Sequence, residues 1–167
     1  MKENFIQLNE SNTLKLGIRT AEGEDTGEYL EFDLEDIELP LKYQELIEQE
    51  KKNRQQLRNQ ILIIEKREDV KGKKLMSKNE EDKIKAMNEF YKKEVEVLNG
   101  FLGDRGVEKL LNGRKIGWTT LTEIDELIEK QIQPYLRENM TSISEKIKSK
   151  YNIQEETDVL KWNTLNM

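Results

Sequence analysis

Between positions 39 and 68 the chain runs for thirty residues with no glycine, and its single proline there, Pro40, stands at the very start. Glu, Gln, Lys, Arg, Leu and Ile dominate the run, all of them competent or strong helix formers. One long helix is the reading this imposes. At ~1.5 Å per residue it would reach ~45 Å, against the ~40 Å breadth of a compact domain of this length. Such a helix must bend, protrude or meet a partner. Its middle, 48–56, carries no apolar residue, whereas Leu57, Ile61 and Ile64 resume a stripe that Leu62 and Ile63 widen. That Ile-rich run could also suit a strand, but no turn residues flank it, which favours helix.

Ahead of this helix, Ile6 and Leu8, then Leu14, Leu16 and Ile18, then Leu30, Phe32 and Leu34 alternate with polar residues, the spacing of half-buried strands. Asn9-Glu10-Ser11-Asn12 and Ala21-Glu22-Gly23-Glu24-Asp25-Thr26-Gly27 separate them as turns. A small antiparallel sheet of two or three strands follows, and a sheet so small needs the later helices to cover its apolar face.

After the long helix, Lys71, Gly72, Lys73 and Lys74 form a basic turn, and Ser77 with Glu80 makes a capping box opening a second helix to about 98. Its Ile84, Met87, Tyr91 and Leu98 recur at helical spacing, with Phe90 and Val95 broadening the face. Gly100-Phe101-Leu102-Gly103-Asp104-Arg105-Gly106 reads as a hinge, followed by a short helix that stops at Asn112-Gly113. Thr120 and Glu123 match a further capping box, whose loss would cost about 1 kcal/mol, at the head of a helix bearing Leu121, Ile124, Ile128, Ile132 and Tyr135. Pro134 is placed to kink its last turn, and a final helix is expected after Thr141 or Ser142. The predicted class is mainly α (α+β): one domain over 1–167, with an acidic β-rich region (1–38), a helical hairpin (39–99), a short helical bundle (100–150) and a tail (151–167).

Charged residues are 37% of the chain, against roughly 25% in ordinary domains, so surface outweighs core. Leu, Ile, Val and Phe still make about a quarter of it, above the ~20% below which chains stay disordered. Cysteine and histidine are absent, which removes disulfides, thiolate nucleophiles, imidazole bases and the commonest zinc ligands together. No catalytic, cofactor or metal site is expected. Residues 1–39 hold three basic and eleven acidic side chains, a charge that repels phosphate backbones and argues against nucleic acid. No stretch approaches the ~20 apolar residues of a membrane span, and the start lacks a signal-like run, so a cytoplasmic protein with no membrane partner is expected.

Carboxylates at Glu123, Glu126 and Glu129, or at Glu80, Glu81 and Asp82, could in principle gather magnesium as in all-helical nucleotide pyrophosphatases. Glu123 already serves as a cap, and Glu126 and Glu129 lie off the apolar face defined by Ile124, Ile128 and Ile132, so solvated surface explains them better. Lys66, Arg67, Lys71, Lys73, Lys74 and Lys78 form a basic cluster, but acidic residues hem it in and no aromatic interleaves, which suits a solubilising hairpin tip. The glycine-rich hinge lacks the Gly-Lys-Ser/Thr ending of a phosphate loop. Trp118 suits core or rim packing, and the apolar end around Val159, Leu160, Trp162 and Leu165 suits either docking on its own bundle or a partner.

Taken in order, Phe32-Asp33-Leu34-Glu35-Asp36 entering a long polar helix, a second helix entering Phe101-Leu102-Gly103, and Val107-Glu108-Lys109-Leu110-Leu111-Asn112-Gly113 before a capped helix resemble a phage tail assembly chaperone of siphophage or prophage type. The resemblance spans 28–138 and departs from the family at Leu111, where relatives often carry an aromatic. It implies a non-enzymatic protein of the bacterial host cytoplasm that binds the tape measure protein and keeps it soluble until the tail tube polymerises. Further partners it implies are the tail tube protein, a frameshifted longer form of the same chain, and other copies in a homo-oligomer. The alternatives are a structural tail component and, more remotely, a magnesium-dependent nucleotide pyrophosphatase. A client groove is expected between the hairpin and the helix from Thr120, using Met87, Phe90, Tyr91, Leu98, Phe101, Ile124 and Ile128, with Trp162 added from the tail. The competing reading makes the same side chains plain core.

Overall fold

Leu14 and Leu16 alternate with Lys15 and Gly17 along a first strand, and Leu30 and Phe32 with Glu31 along a second, so each strand has one greasy face to hide. In the computed structural model, which describes residues 1–8 and 11–152, they are β1 (Thr13–Arg19) and β2 (Asp25–Asp33), paired antiparallel with Leu14 opposite Phe32 and Leu16 opposite Leu30. The turn between them closes through Thr20 N–H to Glu24 O at 2.8 Å and Gly23 N–H to Thr20 O at 2.9 Å. Gly23 sits there at φ +86°, a backbone that a side chain would strain. The run holding Ile6 and Leu8 joins no ladder among the described residues, and both side chains are almost fully exposed. Alternation marks a capacity to pair; it supplies no neighbour.

Pro40 in the first turn starts α1 (Leu39–Glu65), which ends three residues short of the expected limit. Ser77 caps α2 (Lys78–Leu102) by accepting the Glu80 N–H at 3.2 Å, as its sequence predicts. The two helices run antiparallel: Glu65 meets Lys83, Gln56 meets Lys93 and Asn53 meets Glu94. The expected end of α2 at 98 is corrected, because Asn99 and Gly100 stay helical up to Gly103. Leu98, Phe101 and Leu102 are all buried, and that burial outweighs the ~1 kcal/mol helical cost of one glycine.

The hinge glycines serve a turn from α2 into α3 (Gly106–Leu111). Asn99 Oδ1 accepts the Val107 N–H at 2.8 Å, and Asn99 Nδ2 donates to the Glu108 carboxylate at 3.0 Å, so one side chain of α2 ties down the start of α3. Asn112 and Gly113, at φ +47° and +84°, stop α3 where the sequence places the stop. Leu30 and Phe32 of β2 are covered from this corner. The rings of Phe32 and Phe101 lie 5.6 Å apart, those of Tyr43 and Phe101 5.8 Å apart. A Cβ on Gly106 would stand 2.6 Å from Leu102 Cβ and 3.6 Å from Leu30 Cδ2. Because Leu102 Cβ is tied to its own backbone, Gly106→Ala forces the corner open and is expected to cost about 1–3 kcal/mol. An unchanged urea midpoint would show that the corner has slack.

The rest of the helical chain departs from its expected breaks. It forms α4 (Trp118–Leu127), a π-helical turn (Ile128–Ile132) and α5 (Gln133–Lys150) without interruption. Thr120 is corrected from a cap to a first-turn residue, whose Oγ1 reaches back to accept the Gly117 N–H at 2.8 Å. Thr141 caps nothing either, since its hydroxyl donates to Arg137 O at 3.1 Å inside α5. Pro134 lies at the start of α5 and the irregularity falls before it, in the π turn. Ile124, Ile128, Ile132 and Leu136 are buried at a strict spacing of four. Such a row drifts by ~40° per step round an α-helix, and the wider π turn offsets that drift.

Packing groups the chain into two compact units, Met1–Thr122 and Glu123–Met167, the boundary falling within α4. Among the described residues no helix is long and apolar enough to cross a membrane.

Candidate functional site

Five of the side chains expected to line a client groove are core. Phe90 is 4% exposed, Leu98 0% and Phe101 6% in the first unit; Ile124 is 5% and Ile128 2% in the second. Buried surface of that kind is not offered to a partner. Met87 remains 39% exposed and Tyr91 half-buried, while Trp162 lies outside the described residues. Helical periodicity identifies an apolar face correctly; whether the chain covers that face itself depends on segments far away in sequence.

What stays open on α2 is a stripe of Ile84, Met87 and Tyr91, spaced three and four apart on one side of the helix. The Tyr91 ring packs 5.5 Å from that of Phe90, so one edge of the stripe rests on the core. In the second unit, Met140, Ile143 and Ile147 make a stripe of the same spacing along α5, with Met140 52% and Ile147 49% exposed. Exposed charge surrounds both stripes.

Four polar residues that the sequence did not single out are buried in the hairpin: Glu50 and Asn53 of α1, and Asn79 and Glu94 of α2. Asn53 Nδ2 donates to Glu94 Oε1 at 2.9 Å, and Arg54 pairs with Glu50 at 3.3 Å. The signal was present in the apolar-free stretch 48–56. A helix that packs along its whole length must bury something there, and only polar side chains are on hand. Carboxylates from two facing helices are also the raw material of a cation site, but among the described residues no three Asp, Glu, His or Cys side chains gather as one would need. The earlier candidates are surface: Glu123, Glu126 and Glu129 are exposed, and Glu126 reaches Lys130 at 3.8 Å.

At the hairpin tip four of the acidic residues that hem in the lysines are engaged. Asp82 takes Arg67 at 2.8 Å and Lys78 at 3.2 Å, and those two cations hold its carboxyl below the ordinary range. The Ser77 hydroxyl and the Asn79 N–H do the same for Asp69. Glu65 pairs with Lys83 and Glu81 with Lys85. Lys71, Lys73 and Lys74 are left exposed at the apex with no ion pair among the described residues.

Compared with known proteins, the chain matches no family model, no curated protein and no solved structure.

Proposed function

We propose that the protein is a tail assembly chaperone of siphophage or prophage type, acting in the bacterial cytoplasm on a long, apolar, helical tape measure protein. The order of motifs over 28–138 carries this reading, and the exposed stripes suit it physically. An amphipathic client helix docks through anchors at three- and four-residue spacing, which Ile84, Met87 and Tyr91 can meet with matching spacing. Methionine adapts its shape to different client side chains, and the dense surrounding charge keeps a half-covered client in solution. The client surface is thereby moved from the buried groove residues to the open face of α2, with the α5 stripe as a second contact. No catalysis is part of this reading. The tail tube protein and a frameshifted longer form of the chain are the further partners it implies.

Co-expression with a tape measure fragment tests it. The fragment should stay soluble and co-purify with the wild-type chain. Ile84→Glu combined with Met87→Glu should weaken capture roughly tenfold or more while leaving thermal unfolding unchanged, because both side chains already face solvent. A fragment that is equally soluble without the chain would end the proposal. Recovery of the chain from finished particles by mass spectrometry would favour a structural tail component instead.

A further inference from the structure

α5 ends on a stop that turns the chain. Asn152 sits at φ +52° with its N–H 3.5 Å from Ser149 O, and the Tyr151 N–H bonds to Ile147 O at 3.1 Å. A left-handed residue just past a helix takes the chain off the helix axis, and the residue after it commonly packs on an apolar side chain of the last turn. Here the residue after it is Ile153, and the apolar side chain of the last turn is the exposed Ile147. Further back on the same stripe stand Ile143, half-buried, and Met140, exposed.

The sequence beyond the stop mirrors that face. Lys146, Lys148 and Lys150 crowd the end of α5, whereas Glu155, Glu156 and Asp158 follow the stop, and Val159, Leu160 and Trp162 come after them. Counted away from Asn152 in either direction, charge comes first and apolar side chains next, and the charges are opposite. Length allows the match, since Ile147 to Met140 covers ~11 Å of helix and the nine steps from Ile153 to Trp162 cover ~14 Å even when wound as a helix.

We infer that residues 153–162, which lie outside the described residues, fold back along α5 and cover the stripe of Met140, Ile143 and Ile147, with Trp162 toward Met140. The occupant is the chain's own tail because the helix stop directs it there and its order of carboxylates and apolar side chains complements that face. Resting on the chaperone reading, the docked tail is also a gate: it keeps the second client contact closed until a client helix displaces it.

Trp118→Phe leaves Trp162 as the sole tryptophan, so its fluorescence reports the tail. In that background Trp162 should be shielded from acrylamide. Glu155→Lys/Glu156→Lys/Asp158→Lys should lower the docked-to-free ratio roughly tenfold and open it. Adding Lys146→Glu/Lys148→Glu/Lys150→Glu should restore the shielding, which damage to folding could not do. Met140→Glu with Ile147→Glu should open Trp162 as well, with unchanged helical circular dichroism, because both side chains face solvent. A Trp162 as open in the native chain as in urea, or shielding that survives both the tail reversal and the stripe substitutions, overturns the inference. So does shielding that grows with protein concentration, which would place the tail on another copy. A tape measure fragment titrated in should open Trp162, and one that binds while Trp162 stays shielded overturns the gate. A fragment that never binds sinks the chaperone reading and the gate with it, while the docking stands on the shielding alone.

Discussion

Phe101→Ala is expected to lower the unfolding free energy by about 3–5 kcal/mol, the usual cost of deleting a buried aromatic ring. Three elements converge on this ring: Phe32 from β2, Tyr43 from α1, and α2 itself, with Phe101 only 6% exposed. A cavity between three separate elements cannot be filled by one side chain relaxing into it. The loss should also be uneven. A two-stranded sheet has little stability of its own, so releasing its cover frees β1 and β2 before the hairpin tip opens. Hydrogen exchange should therefore quicken more at Leu16 and Leu30 than at the amides around Asn79. A cost below about 1 kcal/mol, or uniform acceleration along the chain, would show that the sheet does not hang on this ring.

The second large effect is expected at the polar layer of the hairpin. Asn53→Leu removes a hydrogen bond from a carboxyl group that is 0% exposed, and should cost about 2–4 kcal/mol. Adding Glu94→Leu in the same chain should return most of that loss, because two apolar side chains packed together need no donor. A double-mutant cycle from urea unfolding should then show coupling of about 2 kcal/mol or more, whereas purely additive losses would mean that the pair acts independently. The layer also sets register. Sliding α1 by one residue along α2 would present Glu94 to a side chain other than Asn53, so the polar pair favours a single alignment where the apolar stripe is interrupted.

The open face proposed for a client was legible in part. Met87 and Tyr91 stand where a partner can reach them, and Ile84 beside them belongs to the same periodic face. Phe90, Leu98, Phe101, Ile124 and Ile128 share that periodicity yet are buried. A residue's spacing is the same whether its neighbour is another chain or its own, which is why the sequence could not separate the two groups. The lysine apex posed the opposite difficulty. Counted along the chain, Lys71, Lys73 and Lys74 look neutralised; in space, the ion pairs of Glu65, Glu81 and Asp82 are made with Lys83, Lys85, Arg67 and Lys78.

Features that depend on a turn or two of chain were set by the sequence alone: the two strands around Gly23, the long run of α1, the Ser77 cap and the Asn112-Gly113 stop. Propensity, capping and left-handed backbone are local properties, so neighbouring residues suffice to specify them. Only tertiary structure carried α2 through Gly100, ran α4 into α5 past Thr141 by way of a π turn, and sank Glu50, Asn53 and Glu94 into the hairpin. Each of those outcomes rests on burial, which sums contributions from segments distant in sequence and can exceed the ~1 kcal/mol preferences by which local signals are read.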